Sequence, residues 1–146
     1  MRLPGSILQG ILARAALVLL RIYLGVIFLL AALPKLRGDS APRLVGFLEQ
    51  VTLLSNASLV ASLVTWSELL VGLTLVLGLL TRLSATAGLL LVLNSMFAKG
   101  AWFWQPSSCN EGAFAMIAVA LLIGAAGRTF GLDALLAKRW PRSPLW

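Results

Sequence analysis

Apolar and polar positions alternate on a coarse scale, dividing the chain into four long apolar stretches with short polar links. The stretches cover about 11–36, 58–80, 83–98 and 111–127. Each is near the ~20 residues a helix needs to cross a bilayer, the third being somewhat short. The first follows Arg2 and so has the outline of a secretory leader. Its length, and the interruptions at Arg14 and Arg21, predict an uncleaved helix instead.

The links carry their own signals. "PKLRGDSAPR" (34–43) combines Pro, Gly, Asp and Ser and marks the exit from the first helix. "RLVGFLEQVTLL" (43–54) mixes apolar and polar residues and predicts a short amphipathic segment on the membrane surface. "LLTRLS" (79–84) reads as a tight turn. "KGAWFWQPSSCNEG" (99–112) places Trp102, Phe103 and Trp104 where an aromatic belt would meet the interface. The expected fold is therefore all-α and integral to the membrane. It is a single domain over 1–146: an antiparallel four-transmembrane-helix bundle with a short amphipathic segment between helices 1 and 2.

Composition supports the bilayer as solvent. Of 146 residues 60% are hydrophobic and only 12% charged, whereas soluble domains carry about a quarter charged. The net charge of +7 comes from Lys and Arg placed between apolar runs. That placement suits anionic lipid headgroups and not nucleic acid. Four spans put Arg2, Arg14, Arg82, Arg128, Lys138, Arg139 and Arg142 on one side and Lys35, Arg37, Arg43 and Lys99 on the other. The richer side is expected in the cytoplasm, giving a multi-pass inner-membrane protein with both termini and the basic tail of 128–146 inside.

Two gaps in the residue inventory limit the chemistry. The chain has no histidine and one cysteine, Cys109. No haem, iron–sulfur or zinc site is expected from such a set, so a redox role would borrow its electron carrier. Cys109, near a helix start, is either an incidental small residue or a reactive thiol.

Polar residues inside the spans are the candidate site. An ionisable group at the bilayer centre costs about 2.5–3.5 kcal/mol on insertion scales and is a site hypothesis by default. Arg14, Arg21, Phe28 and Lys35 recur every seven residues along one face of the first helix, with Val18, Gly25 and Ala32 between them. Arg14 and Lys35 can reach opposite surfaces, leaving Arg21 deeper. In the second helix Ser62, Thr65, Glu68 and Gly72 share a stripe, and Asn94 and Ser95 interrupt the third. Two readings stay open: an Arg21–Glu68 pair that only pins two helices together, or the same pair lining a polar cavity with Asn94 and Thr65. Glu111, three residues after Ser108, has the spacing of a helix capping box, with substrate binding as the other reading. Ala120-xxx-Gly124 predicts close helix packing.

"LLRIYLGVIFLLAALPKL", "ELLVGLTLVLGLLTRLSA" and "EGAFAMIAVALLIGAAGRTFGLD" together resemble the DoxX family of small bacterial membrane proteins. The similar positions are Arg21, Gly25, Lys35, Glu68, Gly72, Gly78, Arg82, Glu111, Gly127, Arg128 and Asp133, over about 17–136. Ala32 stands where the family often has Gly. The resemblance implies a four-helix membrane bundle tied to redox chemistry, with membrane quinone as electron acceptor and a small sulfur-containing molecule or a partner protein as donor. On that expectation Arg21 and Asn94 hydrogen-bond a quinone, with Thr65 nearby. Glu68 exchanges protons, and Lys35, Arg37, Lys99 and Glu111 attract the donor. Two alternatives are a non-catalytic anchor for a redox enzyme and a small proton-coupled transporter; homo-oligomers are compatible with each.

Overall fold

A computed structural model describes residues 5–38, 57–98, 109–124 and 131–139. Among these residues there are five helices and no strand: α1 Gly5–Leu36, α2 Ala57–Leu77, α3 Thr81–Ala98, α4 Cys109–Gly124 and α5 Leu132–Arg139. The first begins six residues before the expected boundary at 11, and runs through Pro34 in its last turn. The expected amphipathic segment at 43–54, the aromatic run 102–104, Ser108 and Lys99 lie outside the described residues. Part of the tail, expected only as a basic extension, is helical as α5.

Among the described residues two helices are long and apolar enough to cross a membrane. Their apolar windows are Leu8–Leu36, with a mean hydropathy of 2.6, and Ser58–Leu77, with 1.9. From Arg14 to Lys35 the rise is about 31 Å at ~1.5 Å per residue, close to the ~30 Å of hydrocarbon. Large apolar side chains such as Leu19, Leu63, Phe97 and Ile123 stand more than 65% exposed. In water so broad an apolar exterior would aggregate; in lipid it is the ordinary surface.

Glycines fix how α1 and α2 meet. A Cβ on Gly25 would lie 2.8 Å from Val76 Cγ2 and 2.9 Å from the Gly72 carbonyl oxygen, and one on Gly72 would lie 2.9 Å from the Gly25 carbonyl oxygen. Each glycine touches the other's backbone, so the axes approach as closely as small residues allow. Residue numbers rise along one helix as they fall along the other, and the pair is antiparallel. Further contacts join α3 with α4, α2 with α3 and α1 with α4. Gly124 sits against Leu17, where a Cβ would lie 2.6 Å from Leu17 Cδ1, which is the close approach expected of the small-residue stripe in α4. Between these helices lies a dry core of Leu24, Phe28, Leu75, Ala85, Ala118 and Leu121.

The contrast between two glycines of α1 gives a direct test. A methyl group added to Gly10 would have nothing within 4 Å, whereas one on Gly25 meets backbone. Gly→Ala inside a helix gains about 1 kcal/mol of propensity, and forcing backbones apart costs about 2–3 kcal/mol. Thermal midpoints in detergent should therefore rise slightly or stay level for Gly10→Ala and fall for Gly25→Ala. Equal midpoints would show that the crossing is looser than these distances imply.

α2 ends in a Schellman motif. Gly78, with φ of +67°, donates to the Leu75 carbonyl at 3.2 Å, and Leu79 N donates to the Thr74 carbonyl at 2.9 Å. The turn expected at 79–84 is realised over residues 78–80, and α3 starts at once.

Candidate functional site

Two charged clusters occupy opposite ends of the helices, and neither is the Arg21–Glu68 pair expected from the sequence. Glu68 is held by Lys35: its Nζ donates to Oε1 at 2.6 Å and to Oε2 at 2.5 Å. The two side chains keep only 19% and 13% of their exposure, so water screens their attraction little. Arg21 lies elsewhere, its guanidinium beside Gly78 and Gly131. Glu68 and Gly78 are ten residues apart on α2, or roughly 15 Å at ~1.5 Å per residue. The correction has a geometric cause. Helical side chains lean toward their own N-terminus. Arg21 therefore leans away from Glu68, while Lys35 leans back along α1 and Glu68 leans toward the end of α1 that carries Lys35, so the two meet.

The Lys35–Glu68 pair borders a cavity of about 250 Å³. Every helix from α1 to α4 contributes to its wall. Leu24, Ile27, Phe28 and Ala31 come from α1, Leu91, Val92 and Ser95 from α3, and Glu111 and Phe114 from α4. Phe114 packs against Tyr23 with ring centroids 6.4 Å apart and planes tilted by 53°. Phe28 is backed by α3, where a Cβ on Gly88 would meet its Cε2 at 3.1 Å. Lys35 is in the last turn of α1 and Glu111 in the first turn of α4. The charged part of the cavity thus lies near one end of the helices, and Leu24 and Phe28 line it farther along α1.

Of the expected site residues, Glu68, Lys35 and Glu111 come together here. Ser95 joins them, although in the sequence it stands out only as the neighbour of Asn94. Asn94 is itself exposed; one residue of helix turns it about 100° away from the wall that Ser95 lines. Thr65 is buried, but its hydroxyl donates to the Ala61 carbonyl at 2.8 Å and is absent from the cavity wall. Arg37 is exposed just past α1. Cys109 begins α4, but its side chain lies outside the described residues.

The second cluster joins α5 to the α2–α3 turn. Asp133, with no exposure, accepts from Leu80 N at 2.6 Å and Thr81 N at 2.7 Å, one on each carboxylate oxygen. Its own N–H donates to the Gly78 carbonyl at 2.9 Å. The carboxylate thereby caps the first turn of α3 from another helix and lies within electrostatic reach of Arg21. Glycine is needed at 78 and 131: Gly78 has a φ of +67°, and a Cβ on Gly78 would sit 2.8 Å from Gly131 Cα and one on Gly131 2.8 Å from the Gly78 carbonyl oxygen. Asp133 thus ties α5 to the start of α3.

The apolar exterior, the two long hydrophobic helices and the charged cavity between helices define an all-helical membrane protein with an internal polar site. The DoxX family model matches residues 16–101, more than half of the chain. The protein belongs to the DoxX family. The matched region includes Arg21, Lys35, Glu68 and Ser95 and ends before Glu111 and Asp133. No solved structure matches the chain.

Proposed function

We propose that the cavity binds the ring of a membrane quinone and that the protein is the membrane-embedded subunit of a quinone-linked oxidoreductase. In this reading α1 to α4 are four spans of one antiparallel bundle in the inner membrane, with both termini cytoplasmic. The charged part of the cavity then lies toward the outer face. The observation that carries the reading is one space with aromatic and aliphatic walls and an ion pair at its rim.

The residues present fit such a ring. Phe28, Phe114 and the aliphatic side chains offer apolar faces. Lys35 turns two N–H groups to Glu68 and has a third for a ring oxygen, and the Ser95 hydroxyl is a second donor. A quinone, when bound, supplies two-electron redox chemistry that needs protons as well as electrons. Glu68 and Glu111 are placed to hold those protons, and Lys35 keeps Glu68 from standing as a lone charge in hydrocarbon. Two carboxylates on the wall oppose entry of an anionic donor, so electrons arrive from a donor or partner protein held outside. Arg37 is the described cation at that end of α1 that stands off the cavity wall. The transporter alternative loses ground because Lys35 occupies Glu68, one of the two carboxylates on the wall, and itself stands as a cation there.

Purification into lipid nanodiscs, followed by solvent extraction and absorbance, tests the proposal. About one quinone per chain is expected from the native protein, and a folded Glu68→Gln variant should retain far less. Equal retention by both, or none by either, would remove the cavity from quinone chemistry.

A further inference from the structure

We infer that Gly88 of α3 sets the width of the cavity by letting the Phe28 ring lie back against α3, and so decides how bulky a ring is admitted. The inference rests on the reading of the cavity as a ring-binding site and adds to it the residue that fixes ring size. A Cβ at position 88 would lie 3.1 Å from Phe28 Cε2, 3.3 Å from Phe28 Cζ and 3.3 Å from Val71 Cγ1. Phe28 lines the cavity, whereas Gly88 and Val71 do not. Both Val71 and Phe28 belong to the buried core, but of the two only Phe28 also borders the cavity, which is the free space into which it can yield. A methyl group at 88 therefore moves Phe28 inward by a few tenths of an ångström.

The rest of the wall cannot simply give way: Phe114 of α4 packs against Tyr23, and Leu91 and Val92 are held on α3. Narrowing on the Phe28 side is thus felt directly by a planar ligand. Gly88 itself lies on a helix interior with no positive φ, so a turn does not require glycine there. Alanine would favour the helix locally. The room beside Phe28 is what glycine provides.

Binding of menadione and of unsubstituted benzoquinone, followed by quenching of tryptophan fluorescence in nanodiscs, tests this as a double-mutant cycle. The expected result is a loss of menadione affinity of about five- to tenfold in Gly88→Ala, a smaller loss for the slimmer benzoquinone, and unchanged thermal stability. In a Phe28→Leu background, which removes the ring that is pushed, the same Gly88→Ala change should alter menadione affinity less than about twofold. An equal loss in both backgrounds, or no loss in either, overturns the role of Gly88. Failure of the native protein to bind either quinone overturns the underlying reading as well, and is distinguished by appearing before any substitution is made.

Discussion

Replacing Lys35 with methionine is expected to lower stability by about 2–3 kcal/mol, a drop in thermal midpoint of roughly 5–10 °C. Removing one partner of a fully buried ion pair costs about 3–5 kcal/mol. The Lys35–Glu68 pair keeps 19% and 13% of its side-chain exposure, which reduces the figure. The loss should be unequal between the partners. Lys35 is in the last turn of α1, where an unpaired ammonium can bend to the headgroups. Glu68 is eleven residues into α2 and has no such route. Glu68→Gln should therefore be the milder change in stability, near 1 kcal/mol, and the harsher one for quinone retention.

The double substitution Lys35→Met and Glu68→Met separates a tether from a site. It removes both charges together and leaves apolar groups of similar size, so most of the stability should return. Quinone retention should not. A protein whose pair merely fastens α1 to α2 would instead recover every property in the double variant. Recovery of retention along with stability would thus show the pair to be a tether and not part of the quinone site.

The positions of the helices were legible because hydrophobic period and length decide them in lipid. The charge pairing was not, and two details explain why. Arg21 and Glu68 look like partners as opposite charges inside successive spans, but that ignores the direction in which side chains lean. Applied to Arg21, Lys35 and Glu68, the N-terminal lean alone reverses the pairing. The register was also present in the sequence as Gly25 and Gly72. Small residues on facing stripes mark where backbones touch, and their contact sets Arg21 opposite the end of α2. Asn94 failed for a simpler reason, since adjacent helical residues face directions about 100° apart. Ser95, less conspicuous than its neighbour, is the one on the cavity wall. Asp133 had only the family resemblance to mark it, because a carboxylate beyond the last span reads as part of a solvated tail.

That carboxylate should be the costliest single side chain to remove. Asp133→Ala is expected to destabilise the protein by about 3–5 kcal/mol, enough to cut yield sharply. Three losses combine. Leu80 N and Thr81 N lose acceptors at 2.6 and 2.7 Å, and both are among the first N–H groups of α3, which lack acceptors within the helix. Buried donors left so cost about 1–3 kcal/mol. Arg21, only 2% exposed, loses the opposite charge beside it. α5, eight residues long, is too short to persist without its docking contacts. Asp133→Asn keeps one carbonyl oxygen and should fall between the native protein and Asp133→Ala. A paired Arg21→Met and Asp133→Asn change should be less damaging than the sum of its parts. Whatever folded protein remains should bind quinone with native affinity, because this cluster and the cavity are separated by the core of Leu24, Leu75 and Leu121. Thermal midpoints and quinone titration of the same samples check both halves. A native midpoint in Asp133→Asn would show that water satisfies the turn, and a loss of affinity at native stability would show that the two ends of the molecule are coupled.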